Sequence, residues 1–354
     1  MIEEIVSLTE ALIRFRTTGK NPEEIRRCAA FVEGWLKDRG VDCRTVEHGG
    51  VPSVVALPRS GHAPVLLMSH IDVVDGPDDL FEPHEKDGSL YGRGAIDDKY
   101  AAALSMILLR ERQKRGGKPS LGVLITGDEE VGGKNGAKKA LAHVRAGFCI
   151  ALDGGSLKKV VVKEKGILRL RLTASGKTAH GARPWLGENA IETLMADCAE
   201  IRTFFQLDAP DHWHRTMNLG KIEGGKSINQ VPDRAEAVFD IRYTEEDDVD
   251  ALVAEMRTRV KSDIEVMEKE PIFIGGDSPY LDLLLSVSEG TVTGFEHGAS
   301  DARHLADFGI RSVIWGADGD MSQHTENEHV LIDSVYALYD RLDRFLQKAG
   351  EQAA

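Results

Sequence analysis

Three short apolar runs in the first half of the chain each end directly in a histidine or carboxylates, and this pattern limits the fold more than any other feature. Val65-Leu66-Leu67-Met68-Ser69 leads into His70-Ile71-Asp72, Leu121 to Thr126 leads into Gly127-Asp128-Glu129-Glu130, and Phe148 to Leu152 leads into Asp153-Gly154-Gly155. Short continuous apolar runs bounded by turn residues are what strands buried on both faces look like. Helical signals lie between them. Asn21-Pro22-Glu23-Glu24 supplies a cap, a first-turn proline and acids, and Ile25, Cys28, Ala29, Val32 and Leu36 then repeat at helical spacing up to Gly40. Ala101 to Leu109 reads as a second helix, Ser53 to Leu57 and Ser312 to Trp315 as further strands, and Val330 to Leu346 as a final helix. Strands alternating with helices give an α/β fold: a mostly parallel central sheet covered by helices. Ligands of such sheets bind outside the carboxyl ends of the strands.

From about Gly166 the texture changes. Leu168, Leu170 and Leu172 alternate with Arg169 and Arg171, the mark of a half-solvated strand. A helix from Asn189 to about Phe205, strands near Met217 to Glu223 and Ala235 to Tyr243, and a helix from about Glu246 to Val260 follow. This is an α+β insert, after which α/β texture returns. The expected division is 1–165 with 273–354 as one discontinuous domain and 166–272 as the insert, in keeping with a 354-residue chain of two domains.

Composition removes several function classes. Lys and Arg number 44 against 58 Asp and Glu, a formal charge of −14. Nucleic acid is therefore not the expected partner, because phosphate neutralisation needs clustered positive charge. No apolar run approaches the ~20 residues of a membrane span, and Met1-Ile2-Glu3-Glu4 is acidic where a signal peptide is basic. Cys28, Cys43, Cys149 and Cys198 form no C-x-x-C pair, so buried free thiols and a cytoplasmic location are the expectation.

Two further pieces join the three strand ends. Gly92-Arg93-Gly94-Ala95-Ile96-Asp97-Asp98 places acids before a helix, and Ser322 to Glu328, with His324, follows the last strand. Taken singly, an aspartate before a helix is normally an N-cap and paired glutamates after a strand a solvated turn. Gathered at one sheet edge, carboxylates repel one another, and a divalent cation resolves the repulsion. Imidazole with carboxylate suits zinc best, with cobalt and manganese as alternatives.

The set Ser69-His70-Ile71-Asp72, Gly92-Arg93-Gly94 through Asp97-Asp98-Lys99, Gly127-Asp128-Glu129-Glu130-Val131-Gly132, Ala179-His180 and the region of His324 resembles the co-catalytic dinuclear zinc hydrolases. That family includes acetylornithine deacetylase, succinyl-diaminopimelate desuccinylase, glutamate carboxypeptidase and related dipeptidases, and the resemblance spans nearly the whole chain. It implies a zinc-peptidase-like catalytic domain with an inserted lid and dimerisation domain, and two divalent ions per chain. Asp97 would bridge them, His70 and Asp153 would complete one site, and Glu130 and His324 the other. His324 is preferred to His329 because the family's ligand precedes an Asn-Glu pair, here Asn327-Glu328. Asp72 would fix the His70 imidazole and Glu129 would be the general base. The Asp97-Asp98 bond resembles the cis peptide the family often has there.

In the insert, His180 resembles the histidine that reaches across a homodimer to stabilise the oxyanion. Arg242 sits where the family often holds a substrate carboxylate, with Asn229 and the Gly298-Ala299-Ser300-Asp301 loop as weaker substrate-binding candidates. The implied activity is hydrolysis of an amide bond in a small N-acyl amino acid or short peptide bearing a free carboxylate. Gly298 to Arg303 is similar to the desuccinylase pattern, whereas Leu152-Asp153-Gly154-Gly155 is closer to tripeptidases and carboxypeptidases, so the substrate stays open. The alternative of another class, an inactive relative that only binds or scaffolds, is disfavoured because all five ligand candidates and Glu129 are present.

Two decoys remain. Gly220 to Ser227 fits G-x-x-x-x-G-K-S, but a phosphate loop must open a helix, and this segment runs into turn and strand residues. An ATPase is rejected on that ground. His212-Trp213-His214 could hold a metal, but no carboxylate is arranged beside it, so surface or interface residues are expected.

Overall fold

The computed structural model describes residues 2–116 and 120–352. They form two compact units: one contains the chain up to Lys163, Ile274–Glu296 and the chain from Ser300 onward, the other Glu164–Phe273 with His297–Ala299.

The first unit is built on a nine-stranded sheet. At its centre Leu121–Thr126, Ala63–His70, Ala146–Ala151 and Arg311–Ile314 lie side by side and parallel, with Val65 opposite both Leu121 and Phe148. Antiparallel neighbours flank this centre: Val51–Ala56 and then Arg44–His48 on one side, Lys159–Glu164 on the other. The fold is thus α/β with a mostly parallel central sheet. Helix Lys99–Arg115 is buried from Lys99 to Glu111, which is why its sequence carries no one-sided stripe. Its Leu104, Ile107 and Leu108 share one core with Val65, Leu67, Val123 and Ile150 of the sheet and with Leu338, Leu342 and Phe345 of helix Ile332–Gln352. Each such side chain contributes about 1.5–3 kcal/mol on burial, so the parallel centre is a firm base for the loops at its carboxyl edge.

Helix Pro22–Asp38 buries the expected Ile25, Cys28, Ala29, Val32 and Leu36, but Asn21 makes no side-chain capping bond. Val330 lies in a short strand, His329–Leu331, paired with Ser89–Tyr91, and the last helix begins only at Ile332. The four cysteines are free; three are buried and Cys198 is half-buried. No described helix is long and apolar enough to cross a membrane.

The second unit holds a four-stranded antiparallel sheet in the order Thr216–Gly224, Arg234–Tyr243, Gly166–Ser175, Asp263–Glu270. Leu168, Leu170 and Leu172 pack with Phe239, Ile241, Leu194 and Met256, which places helices Ala190–Arg202 and Val249–Arg259 against that face. Asn189 caps the first helix by accepting from the Ile191 amide at 3.0 Å, and Asp248 caps the second through the Ala251 amide at 3.0 Å. On the other face Arg169 and Arg171 pair with Glu268 and Glu265 of Asp263–Glu270 at 2.5 and 2.8 Å. The phosphate-loop decoy lies in strand Thr216–Gly224 and the turn after it, with no helix following.

Candidate metal centre

Every predicted ligand sits where the parallel strands end. His70 closes strand Ala63–His70, Glu129 and Glu130 open a single 3-10 turn just past Leu121–Thr126, and Asp153 lies two residues beyond Ala146–Ala151. Asp97 precedes helix Lys99–Arg115 across a cis bond to Asp98, and His324 lies in the loop between Arg311–Ile314 and His329–Leu331.

Asp97 is the hinge of the arrangement. Its Oδ1 is 3.0 Å from His70 Nε2 and its Oδ2 is 3.1 Å from His324 Nε2. His324 Nε2 is also 3.1 Å from Glu130 Oε2, and His70 Nε2 is 4.0 Å from Asp153 Oδ1. Two groups of potential ligand atoms result, each within 4.8 Å: His70, Glu129 and Asp153, and Asp97, Glu130 and His324. Ligand atoms about 2.0–2.1 Å from a zinc ion stand roughly 3 Å apart, so these separations suit a shared cation.

The electrostatics point the same way. Asp97 and then Glu130 push the His324 imidazole up to about 10. Burial disfavours a charged His70, yet Asp72 and Asp97 outweigh it and hold that group well above the usual histidine range. Burial also works against ionised Asp97, but hydrogen bonds from His324 and His70 prevail and keep it below the usual carboxylate range. A site that stabilises two imidazolium charges this strongly is one that calls for positive charge. Glu130 Oε1, moreover, is buried without a hydrogen-bond partner. An orphaned carboxylate oxygen between histidines and carboxylates fits a divalent metal by donor type as well as by spacing.

Asp72 does more than the sequence suggests. His70 Nδ1 donates to the Asp72 backbone carbonyl at 3.0 Å, while the Asp72 carboxylate is 3.5 Å away. The carbonyl only accepts, so Nδ1 carries a proton and Nε2 faces Asp97. The carboxylate oxygens instead accept the backbone N–H groups of Glu129 at 3.1 Å and Glu130 at 3.0 Å. One residue therefore orients the imidazole and holds the turn that presents both glutamates. Glu129 itself is held well above the ordinary carboxyl range by burial, and next by the Asp153 and Asp301 charges.

The loop that carries His324 is conformationally costly. Asp320, Met321 and His324 have φ values of 51°, 56° and 62°, three of the five described non-glycine residues in the left-handed region. Each costs about 1–3 kcal/mol and persists only where the surroundings enforce it.

Within the second unit, His180 is exposed and its Nδ1 accepts from the Ala182 amide at 3.1 Å. The proton of the neutral ring is thereby assigned to Nε2, leaving an outward N–H donor. Asn229 lies beside it, because its carbonyl accepts from the Gly181 amide at 2.7 Å. Arg242 is half-buried, and its guanidinium is already forked onto Asp240 at 2.6 and 3.3 Å. His212 and His214 offer their backbone carbonyls to Lys165 Nζ at 2.7 Å each, a structural use.

In the first unit, Ser300 is buried and caps the 3-10 segment Asp301–Phe308 by accepting from the Ala302 amide at 3.3 Å. Sequence reasoning overlooked Asp301 as a side chain: it is buried, pushed up to about 7 by that burial, and lines a small cavity with His70, Glu129 and Asp153. Its only signal was membership of a loop whose turn-forming composition spoke for structure. A larger cavity, about 790 Å³, lies elsewhere, beside Leu57, Arg59, Leu121 and Arg112, with no imidazole–carboxylate group. Chemistry rather than size therefore marks the site.

Residues 66–348 match the model of peptidase family M20/M25/M40. A succinyl-diaminopimelate desuccinylase of Wolbachia pipientis subsp. Culex pipiens is 28% identical, over 94% of this chain and 90% of that protein. A probable carboxypeptidase of Uncinocarpus reesii is 26% identical, over 85% of this chain and 75% of that one. Among solved structures, a tripeptidase from Staphylococcus aureus superposes with a TM-score of 0.84 at 22% identity, over 99% of both chains.

Proposed function

The chain belongs to peptidase family M20/M25/M40, a metal-dependent hydrolase of amide or peptide bonds, and we propose that it uses two zinc ions to cleave a small N-acyl amino acid or short peptide with a free carboxylate. The observation that carries this reading is Asp97, whose two oxygens face His70 on one side and His324 on the other. His70, Asp153 and Asp97 would hold one ion, and Glu130, His324 and Asp97 the second. Bound there, divalent cations supply Lewis-acid polarisation of the amide carbonyl and acidify water.

The chain's own residues supply the rest. Glu129, with its raised proton affinity, takes a proton from the attacking water and hands it to the departing amine nitrogen, so the proton count closes over one cycle. The His180 Nε2–H is free to donate to the oxyanion that forms on the carbonyl oxygen. A substrate carboxylate would compete with Asp240 for the Arg242 fork, with Asn229 as an added contact. A cytoplasmic location is part of this reading, and the free cysteines support it because thiols stay reduced there.

The substrate class is tested with succinyl-diaminopimelate, acetylornithine, simple dipeptides and N-acyl glutamates, each with zinc, cobalt or manganese and with chelator. Hydrolysis of at least one, abolished by chelation and restored by metal, is expected. A protein of verified metal content that cleaves none would favour the binding or scaffolding alternative.

We further propose a two-fold homodimer through the insert. Thr216–Gly224 is an edge strand, and Ile222, Met195 and Ile228 are exposed large apolar residues of this unit. Unpaired strand edges and exposed apolar side chains favour a self-complementary partner. Each His180 would then serve the other chain's site. Mixing Asp97→Ala with His180→Ala chains should restore part of the activity, since one site per mixed dimer is complete. Continued inactivity despite demonstrated subunit exchange would exclude action across the dimer.

A further inference from the structure

We propose that Glu328, acting with Arg93, is a positioning residue that fixes Asp97 against His324 and thereby sets the affinity of the metal site those two side chains share. The proposal rests on the two-metal reading above. Glu328 is 1% exposed and Arg93 3% exposed, and together they form a buried ion pair with Arg93 Nη1 2.5 Å from Glu328 Oε2. The other carboxylate oxygen, Oε1, accepts the backbone N–H groups of Gly94 at 2.8 Å and Asp97 at 3.3 Å. The Glu328 carbonyl also accepts from the Gly92 amide at 3.0 Å. One residue thus grips the segment 92–97 at four points, ending on the backbone of Asp97 itself.

The other end of the connection is His324. Glu328 lies four residues beyond it, and the loop between them is closed at its base: the His329 amide donates to Ser322 Oγ at 3.0 Å, and that hydroxyl donates to the His329 carbonyl at 3.1 Å. A loop with left-handed residues at Asp320, Met321 and His324 needs such fastening to keep one conformation. Asp97 and His324 are far apart in sequence and meet at 3.1 Å, and Glu328 is tied to the segments that carry both. Arg93 has a matching tie on its far side, since its amide donates to the Leu80 carbonyl at 2.8 Å. Neither Arg93 nor Glu328 offers an atom to the reacting centre, so both act through Asp97 and His324.

The pair would be a plain core ion pair if it only supported folding, and the two roles separate in metal binding. Wild type, Glu328→Gln and Glu328→Asp are stripped and titrated with Zn²⁺ by calorimetry and with Co²⁺ by visible absorption, with thermal unfolding of each stripped protein alongside. Gln keeps one acceptor oxygen without the charge, and Asp keeps the charge but withdraws it, so one variant serves if the other fails to fold. Wild type should take two ions. In a folded variant the ion shared by Asp97 and His324 should bind about 10- to 100-fold more weakly, and the ion held by His70 and Asp153 should weaken less, as for lost supports of metal ligands. Saturating metal should then restore most of kcat with KM little changed. Unchanged affinity for both ions, or loss of both in step with stability, overturns the proposal. Fewer than two ions in wild type overturns the two-metal reading instead.

Discussion

Asp97→Ala is expected to empty both metal sites and to lower turnover by roughly 10³-fold or more, the scale of losing a principal electrostatic stabiliser of the transition state. The reason is geometric. Among the described residues Asp97 is the side chain with an oxygen toward each histidine, and its removal also leaves His70 and His324 without the carboxylate between them. His70→Ala and His324→Ala should each weaken mainly one site, because each ring approaches one side of Asp97. Metal content after gel filtration, measured beside the rate in excess zinc, separates the three variants. Asp97→Ala protein that keeps two ions, or that loses no more activity than His70→Ala, would show that Asp97 does not bridge.

Much of this was readable before any coordinates. The central strands announce themselves because burial on both faces forces continuous apolar runs, and Leu121–Thr126 lies where its sequence places it. The insert's strand Gly166–Ser175 is legible for the opposite reason: one wet face imposes alternation. Asp263–Glu270 escaped notice because its cross-strand partners are charges. Glu265 and Glu268 answer Arg171 and Arg169, so the strand carries acids where a pattern search wants valines. The amino-terminal helix Ile2–Ile13, with Ile5, Leu8 and Leu12 buried, carries helical spacing and acids in its first turn, signals of the same local kind.

At the site, the ligands were legible as residue types at strand ends, whereas their supports were not. Asp72 holds the Glu129–Glu130 turn from 57 residues upstream, and Glu328 reaches Arg93 across 235 residues. Such contacts leave no local spacing to read. Nor does sequence disclose that Arg242 is occupied by Asp240 or that Ser300 is turned inward as a cap. Those facts depend on which neighbour a polar group finds first, and that is decided by packing.

Glu129→Gln should divide chemistry from metal binding. Glutamine preserves the shape and the backbone N–H that Asp72 accepts, but it cannot take up a proton. Turnover should fall by about 10²- to 10⁴-fold, the usual contribution of a positioned base, while metal content stays close to wild type. The pH profile gives an independent reading. Burial, then Asp153 and Asp301, raise Glu129 above the ordinary carboxyl range, so its proton is lost only at higher pH than for a free carboxyl. The base form is the ionised one, and wild-type kcat/KM should therefore decline as pH drops through that raised value, by about tenfold per pH unit. The residual rate of Glu129→Gln should lack that acid limb, because the amide does not titrate. Glu130→Gln makes the contrast: its Oε2 faces His324, so it should lose an ion where Glu129→Gln loses a base. Near-wild-type turnover in Glu129→Gln, or an unchanged acid limb, would assign the proton transfer to another group, and Asp301 in the same small cavity would be the first to examine.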